Sequence, residues 1–386
     1  MAAFHCKGIK KIIKYKIKML KYFLYSQKSG NFAAILRNIC SKMKRIKRIN
    51  AKIYLWGAVG VAFLFAGCSY YYLFSSLSKS GQTEYVYIDS DDTLDSVMAK
   101  IQPIAKPFQL SALSTLSRHG GYADNIRTGR YAIRQGEGAY KIYRHLKNGM
   151  QTSVNLTIPE VRTIDRLAAA LSRKLMLDSA EVARQLTDSA YCARWGYDTA
   201  TLPSLFIPNT YDIYWNVSLD HLMERMKKEH KTFWNFGRTE KAKAMGLSPV
   251  EVATLASIID EETANNAEKP MIAGMYYNRL KAGMPLQADP TVKFALKDFA
   301  LRRIYNKLLQ TDSPYNTYKN TGLPPGPIKI ASIAGIDAVL NHVRHDYLYM
   351  CAKEDFSGTH NFAKTYQEHL NNAGRYTKAL NQRGIK

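Results

Sequence analysis

The sequence predicts an α+β protein in three parts: an N-terminal transmembrane helix, a small α+β module, and a mixed α/β domain bearing the catalytic signals. Three observations predict it. Residues 53–74 form an uncharged run behind a basic tail. Strand-like and helix-like patterns then follow in the order β-α-α-β-α over about 65 residues. From residue 247 a strongly capped apolar helix ends in three consecutive acids. A chain of 386 residues is long enough for two or three domains with a buried core.

Residues 1–52 hold 15 of the 55 Lys and Arg and no Asp or Glu, so the remaining 334 residues carry +9 of the +24 net charge. The tail's charge therefore says little about the rest of the chain. The uncharged 53–74 run, as a helix, is about 33 Å long and matches a bilayer core of about 30 Å. Trp56 at one end and Tyr70, Tyr71 and Tyr72 at the other suit the two interfaces. Lys44, Arg45, Lys47, Arg48 and Lys52 hold the tail in the cytoplasm. The rest of the chain then lies on the periplasmic side of a single-pass inner-membrane protein. Met43 opens a compact signal-anchor shape, which makes 1–42 a possible start-site artefact, and Phe65-Ala66-Gly67-Cys68 is an alternative lipidation signal. Anionic lipid, not nucleic acid, is the expected contact of the tail.

Residues 75–83 are small and polar, a linker. In the module 84–154, EYVYI alternates as a strand, DDTLDSVMAKI is a helix capped by Asp91 or Asp92, and 108–117 is a second helix. Residues 126–133 form a strand, and 138–149 a helix ending at Gly149. Residues 155–160 are another strand. A mostly helical connecting region runs to 246, interrupted by an aromatic strand or loop at 204–215. The catalytic subdomain is 247–386.

In that subdomain Ser248-Pro249-Val250-Glu251 is a capping box, which sets the register of the helix behind it. Val252, Leu255, Ala256 and Ile259 make one apolar stripe. At about 100° per residue Glu262 lies roughly 70° from the stripe centre, Asp260 about 90° and Glu261 about 170°. Glu261 should face solvent and Glu262 the buried side. Apolar surroundings, neighbouring acids and the helix C-terminus all favour a protonated Glu262, a suitable general acid near neutral pH. An ordinary solvated acidic helix end is the plain alternative.

Four segments carry a resemblance: ASIIDEET (256–263), YYNRLKAGMPLQADPTV (276–292), SPYNTYKNTGLPPGPI (313–328), and DYLYMCAK with HNFAKT (346–353 and 360–365). In this order they resemble the successive motifs of the YceG-like endolytic murein transglycosylases (MltG). Residues 126–149 and 155–160 resemble that family's LysM-like subdomain and the strand after it. The pairs Pro203-Ser204 and Asp260-Glu261 depart from the commoner family pattern.

The resemblance implies cleavage of the β-1,4 bond between N-acetylmuramic acid and N-acetylglucosamine in nascent peptidoglycan strands, leaving 1,6-anhydro ends. Its catalytic Glu falls on Glu262, and cell-wall synthesis enzymes are candidate partners. Such a reaction manages with one carboxyl group, because the muramic acid C6 hydroxyl serves as internal nucleophile. Asn278, Arg279, Gln287, Asp289, Thr291, Asn316 and Tyr318 offer polar groups for the sugars. Arg279 can pair with Asp289 or meet a substrate carboxylate. Pro325 and Gly326 belong to a stiff loop walling the cleft. Turn and cap roles are the plain alternatives for Asn278, Arg279 and Asp289. No cofactor and no metal site is expected. His342, His345 and His360 lack a completing ligand, and Cys192 and Cys351 read as unpaired thiols. A hydrolase using Asp260 or Asp289 as second carboxylate, and a non-catalytic peptidoglycan-binding scaffold, are the competing functions.

Overall fold

A computed structural model of the protein describes residues 32–301 and 304–383, together with Lys18. Most of the basic tail's first 31 residues lie outside the described set. Helix α1 (Phe32–Phe74) runs unbroken through the remaining tail and the apolar run. Its Ala51–Phe74 portion is long and apolar enough to cross a membrane, and its most apolar stretch is not buried against any of the described residues. Only its last turns meet the next module, through Tyr72 against Phe108 and Phe74 against Tyr140.

Residues 75–83, expected as a linker, are instead built into that module. Leu77, the apolar residue among small polar ones, is fully buried. Its N–H donates to the Glu137 carbonyl at 2.9 Å and its carbonyl accepts from Lys106 N–H at 2.8 Å. The expected β-α-α-β-α order follows: β1 (Glu84–Ile88), α2 (Leu94–Ile101), α3 (Pro107–His119), β2 (Gly129–Ile133) and α4 (Ala139–Asn148). Strands β1 and β2 pair antiparallel from Glu84↔Ile133 to Ile88↔Gly129, turning Val86 and Ile88 into the core. The cap of α2 is Thr93, not Asp91 or Asp92, because Asp92 is drawn to the Asp89 N–H and to Lys100. Helix α4 ends on Gly149 at φ 66°, a conformation that favours glycine.

The connecting region contains β3 (Val154–Thr157), α5 (Ile164–Ser172), α6 (Ser179–Leu186), α7 (Ser189–Trp195), β4 (Thr210–Ile213), α8 (Leu219–Phe233) and α9 (Phe236–Ala244). The aromatic interruption supplies β4, which pairs antiparallel with β3. Thr163, Asp178, Asp188, Ser218 and Asn235 each cap a helix with a side-chain acceptor, explaining how so many short helices fit into one stretch.

The last part is α10 (Pro249–Glu262), α11 (Lys269–Lys281), α12 (Asp289–Leu296), α13 (Ile333–Leu340), β5 (Tyr349–Ala352), β6 (His360–Ala363) and α14 (Tyr366–Gln382). The capping box forms as expected: Ser248 Oγ accepts from Glu251 N–H and Glu251 Oε2 from Ser248 N–H. Helix α10 is central. Every residue from Val252 to Ile259 is buried, including Thr254 and Ser257 off the apolar stripe. This part mixes helix and sheet as expected, and among the described residues of 247–386 its sheet is a single antiparallel hairpin, β5–β6.

Candidate functional site

The three acids closing α10 point to three different surroundings. Asp260 is a fastener. Its carboxylate accepts from Ser332 N–H (2.6 Å), Ser332 Oγ (2.7 Å) and Lys269 Nζ (2.7 Å), tying α10 to the start of α13 and the start of α11. Its side chain is 1% exposed and that of Lys269 7%. Glu261 does not face solvent, contrary to the helical wheel. Arg162 Nε donates to it at 2.9 Å, and Lys329, itself paired with Glu160, stands 3.7 Å away. The connecting region covers the face that an isolated helix would leave to water.

Glu262 faces a pocket of about 420 Å³. Its Oε1 accepts a 2.8 Å hydrogen bond from Tyr276 Oη, a buried side chain on α11. The carboxyl is surrounded by protein yet reachable through the pocket mouth. Burial pushes it up to about 7; Tyr276 and Lys293 act in the opposite sense, and Asp289 and Glu261 add to the rise. It therefore holds its proton through much of the near-neutral range without being sealed from a ligand.

Several elements converge on the pocket. Met275, Tyr276 and Arg279 come from α11, Leu286 and Gln287 from the loop behind it, and Asp289 from the first turn of α12. Tyr318 and the β5 residues 349–352 complete the lining, together with His360, paired with Ala352, and His369, stacked on Tyr349. Gln287 has φ 53°, and its N–H donates to the Thr317 carbonyl, a turn that brings its side chain to the rim. Asp289 accepts from Tyr318 Oη at 2.6 Å. Arg279 does not pair with Asp289. It is buried, and donates to the carbonyls of Leu348, Pro285 and Leu286 and to Gln287 Oε1, so it binds the pocket's walls to one another.

Of the residues expected to meet substrate, Arg279, Gln287, Asp289 and Tyr318 line this pocket with Glu262. The others lie elsewhere. Asn278 donates to the carbonyls of His345 and Tyr347. Asn316 is fully buried, donating to the carbonyls of Leu309 and Thr311 and accepting from Tyr318 N–H, which makes it the brace of Tyr318's loop. Thr291 is fully buried against Thr317. The proline loop walls a different cavity of about 300 Å³, beside Arg162, Phe294, Tyr315 and Lys329. Gly326 there sits against the Ala200 carbonyl, 2.1 Å from where a Cβ would stand. Pro325 is exposed.

Tyr276, Tyr349 and His369 are pocket residues that sequence reasoning did not select. Tyr276 shares a helix face with Arg279 three residues on, a signal that was present. His369, on the C-terminal helix, had none. Among the described residues no group of three or more His, Cys, Asp or Glu side chains is gathered as a metal site. His360 is engaged by Glu268. Cys192 and Cys351 are free thiols.

A sequence model of the YceG-like family matches residues 86–375. An endolytic murein transglycosylase of Bacillus subtilis (strain 168) is 32% identical over 277 residues, covering 68% of this chain and 76% of the relative. One from Streptococcus pneumoniae serotype 2 (strain D39) is 26% identical over 301 residues, 69% of this chain, and the match spans only 53% of that longer relative. A crystal structure of a YceG-like protein from Listeria monocytogenes is 27% identical with a TM-score of 0.49, covering 76% of this chain and 99% of that one. With three quarters of its length matched by the family's own pattern, the chain belongs to the YceG-like family.

Proposed function

We propose that the protein is a lytic transglycosylase of peptidoglycan, anchored in the inner membrane by residues 53–74 and acting on nascent glycan strands on the periplasmic side. The observation that carries this reading is Glu262: a carboxyl group held near a pKa of about 7 by burial, opening on a polar pocket. Its relatives' names, endolytic murein transglycosylase, supply the polymer.

In the reaction, a strand lies in the pocket with a MurNAc-β-1,4-GlcNAc linkage at Glu262. The protonated carboxyl gives its proton to the glycosidic oxygen as the C1–O bond breaks. The C6 hydroxyl of the same muramic acid attacks C1, and its proton returns to Glu262. The 1,6-anhydro ring and the new 4-hydroxyl account for every atom, and Glu262 ends as it began. Positioned proton transfer contributes roughly 10² to 10⁴ in rate, and the internal nucleophile removes the need for a bound water. Gln287, Asp289 and Tyr318 contact sugar hydroxyl and acetamido groups. Residues 84–154 act as the LysM-like module that holds the strand, 155–246 connect, and 247–386 catalyse. Cell-wall synthesis enzymes that extrude the strand are the natural protein partners.

The test is to incubate the purified full chain with peptidoglycan sacculi and identify the released ends by mass spectrometry. Anhydro-muramic ends from the wild type and none from Glu262→Gln are expected. Reducing ends would indicate a hydrolase with Asp289 as second carboxylate. Unchanged wall-related function in Glu262→Gln would indicate a binding scaffold.

A further inference from the structure

We infer that Tyr276 is a positioning residue for Glu262, its hydroxyl fixing one carboxyl oxygen so that a single oxygen, Oε2, carries the proton in both halves of the reaction. The inference rests on the transglycosylase reading above and adds to it a second residue and a division of labour within the carboxyl group.

The geometry is specific. Tyr276 lies on α11, fully enclosed at 2% exposure, and its hydroxyl makes one side-chain hydrogen bond, to Glu262 Oε1 at 2.8 Å. Tyr276 is held in turn by burial among the core of α10 and α11. Burial and the adjacent Glu262 raise its own pKa well above the usual tyrosine value, so it stays a donor at every working pH. A phenol with one partner and no freedom to turn away fixes the rotation of the carboxyl group it meets. Oε1 is occupied, and no protein donor meets Oε2 among the hydrogen bonds of the described residues.

This arrangement suits a group that must pass through two protonation states. While neutral, Glu262 presents the Oε2 proton to the glycosidic oxygen. Once that proton has left, the carboxylate is poorly hydrated and close to Asp289 and Glu261; the Tyr276 O–H donates to it and lowers the cost of the ionised state. The same Oε2 then receives the C6 hydroxyl proton. The other charged or titratable groups about the carboxyl are Asp289 and Lys293 on α12, Glu261 beside it on α10, Tyr318 on its loop, and Arg279 on α11. His360 and His369 also line the pocket, beside β5: His360 pairs with Ala352 and His369 stacks on Tyr349. Among the described residues, Tyr276 alone makes a side-chain hydrogen bond to Glu262.

The test compares wild type with Tyr276→Phe, which keeps the ring and removes only the donor. Two readouts are used on the full-length protein in detergent. The first is release of anhydro ends across pH: kcat should fall about 10- to 100-fold with KM within about twofold. The alkaline limb of the profile should move upward by about one pH unit, because the carboxylate has lost its donor. The second is direct titration of the Glu262 carboxyl by infrared difference spectroscopy against the matching Glu262→Gln background, which needs no turnover. Its midpoint should rise by the same amount. If both midpoints and kcat match wild type, Tyr276 is only core packing and the inference is overturned. If Tyr276→Phe unfolds, Tyr276→Met in the same titration must still raise the midpoint, or the inference fails. Should Glu262→Gln keep its activity, the transglycosylase reading falls on its own, while the titration still decides whether Tyr276 governs the carboxyl group.

Discussion

At the residue scale, three adjacent acids do three different things because three different elements reach the end of α10. Asp260 is the structural one. Truncating it strands Lys269 in the interior and unties Ser332, so Asp260→Ala should cost about 3–5 kcal/mol in chemical denaturation. Glu262 has the opposite balance. Folded, it keeps its proton up to about 7, while the unfolded chain releases it near the ordinary value of 4.5. Between those values the unfolded state binds fewer protons, so this group makes stability fall as pH rises through that window. Glu262→Gln should therefore be more stable than wild type by about 1–3 kcal/mol at pH 8. The gain should shrink to nothing near pH 4, a comparison readable from denaturation midpoints. The wheel could single out Glu262 from its angle to the stripe, but it misplaced Glu261, since it treats one face of every helix as open to water. Arg162, 99 residues earlier in the chain, closes that face.

At the element scale, local signals were legible and long-range ones were not. Ser248 and Pro249 announce the start of α10, and Gly149 the end of α4, because caps are decided by a few neighbouring residues. Ser248→Ala should cost about 1 kcal/mol. Thr93 in place of Asp91 or Asp92 went unread, since Lys100, a residue within the helix, decides which acid is free. The candidate site was legible where motif and pocket coincide, at Glu262, Gln287, Asp289 and Tyr318. It was not legible at Asn316 and Thr291, polar residues whose groups are consumed in shaping loops. A polar side chain in a motif can hold the backbone as readily as a ligand, and burial alone tells the two apart. The proline loop makes the same point. Gly326→Ala would drive a Cβ into the Ala200 carbonyl at 2.1 Å, with backbone on both sides unable to yield. We expect it to lower the melting temperature markedly, by loosening the loop from the connecting region, while leaving the residues of the Glu262 pocket intact.

Over the whole molecule, one long N-terminal helix, apolar enough over Ala51–Phe74 to cross a membrane, runs directly into the first module. Leu77 and the last turns of α1 pack into the first module, so with α1 in a membrane, as proposed, the body would stand close to the bilayer instead of hanging on a free tether. Inserting a flexible ten-residue Gly/Ser segment after Phe74 should break that packing and make the module more sensitive to protease in membrane vesicles. Arg162, and Lys329 with its second partner Glu160, join the connecting region to α10 through Glu261. The proposed function rests on the proton held by Glu262, and the pH dependence of kcat/KM for anhydro-end release tests it most directly. A general acid buried to a pKa of about 7 predicts activity falling tenfold per pH unit above neutrality. A rate that stays level through pH 9, or that already falls near 4.5 as for a solvated carboxyl, would contradict it.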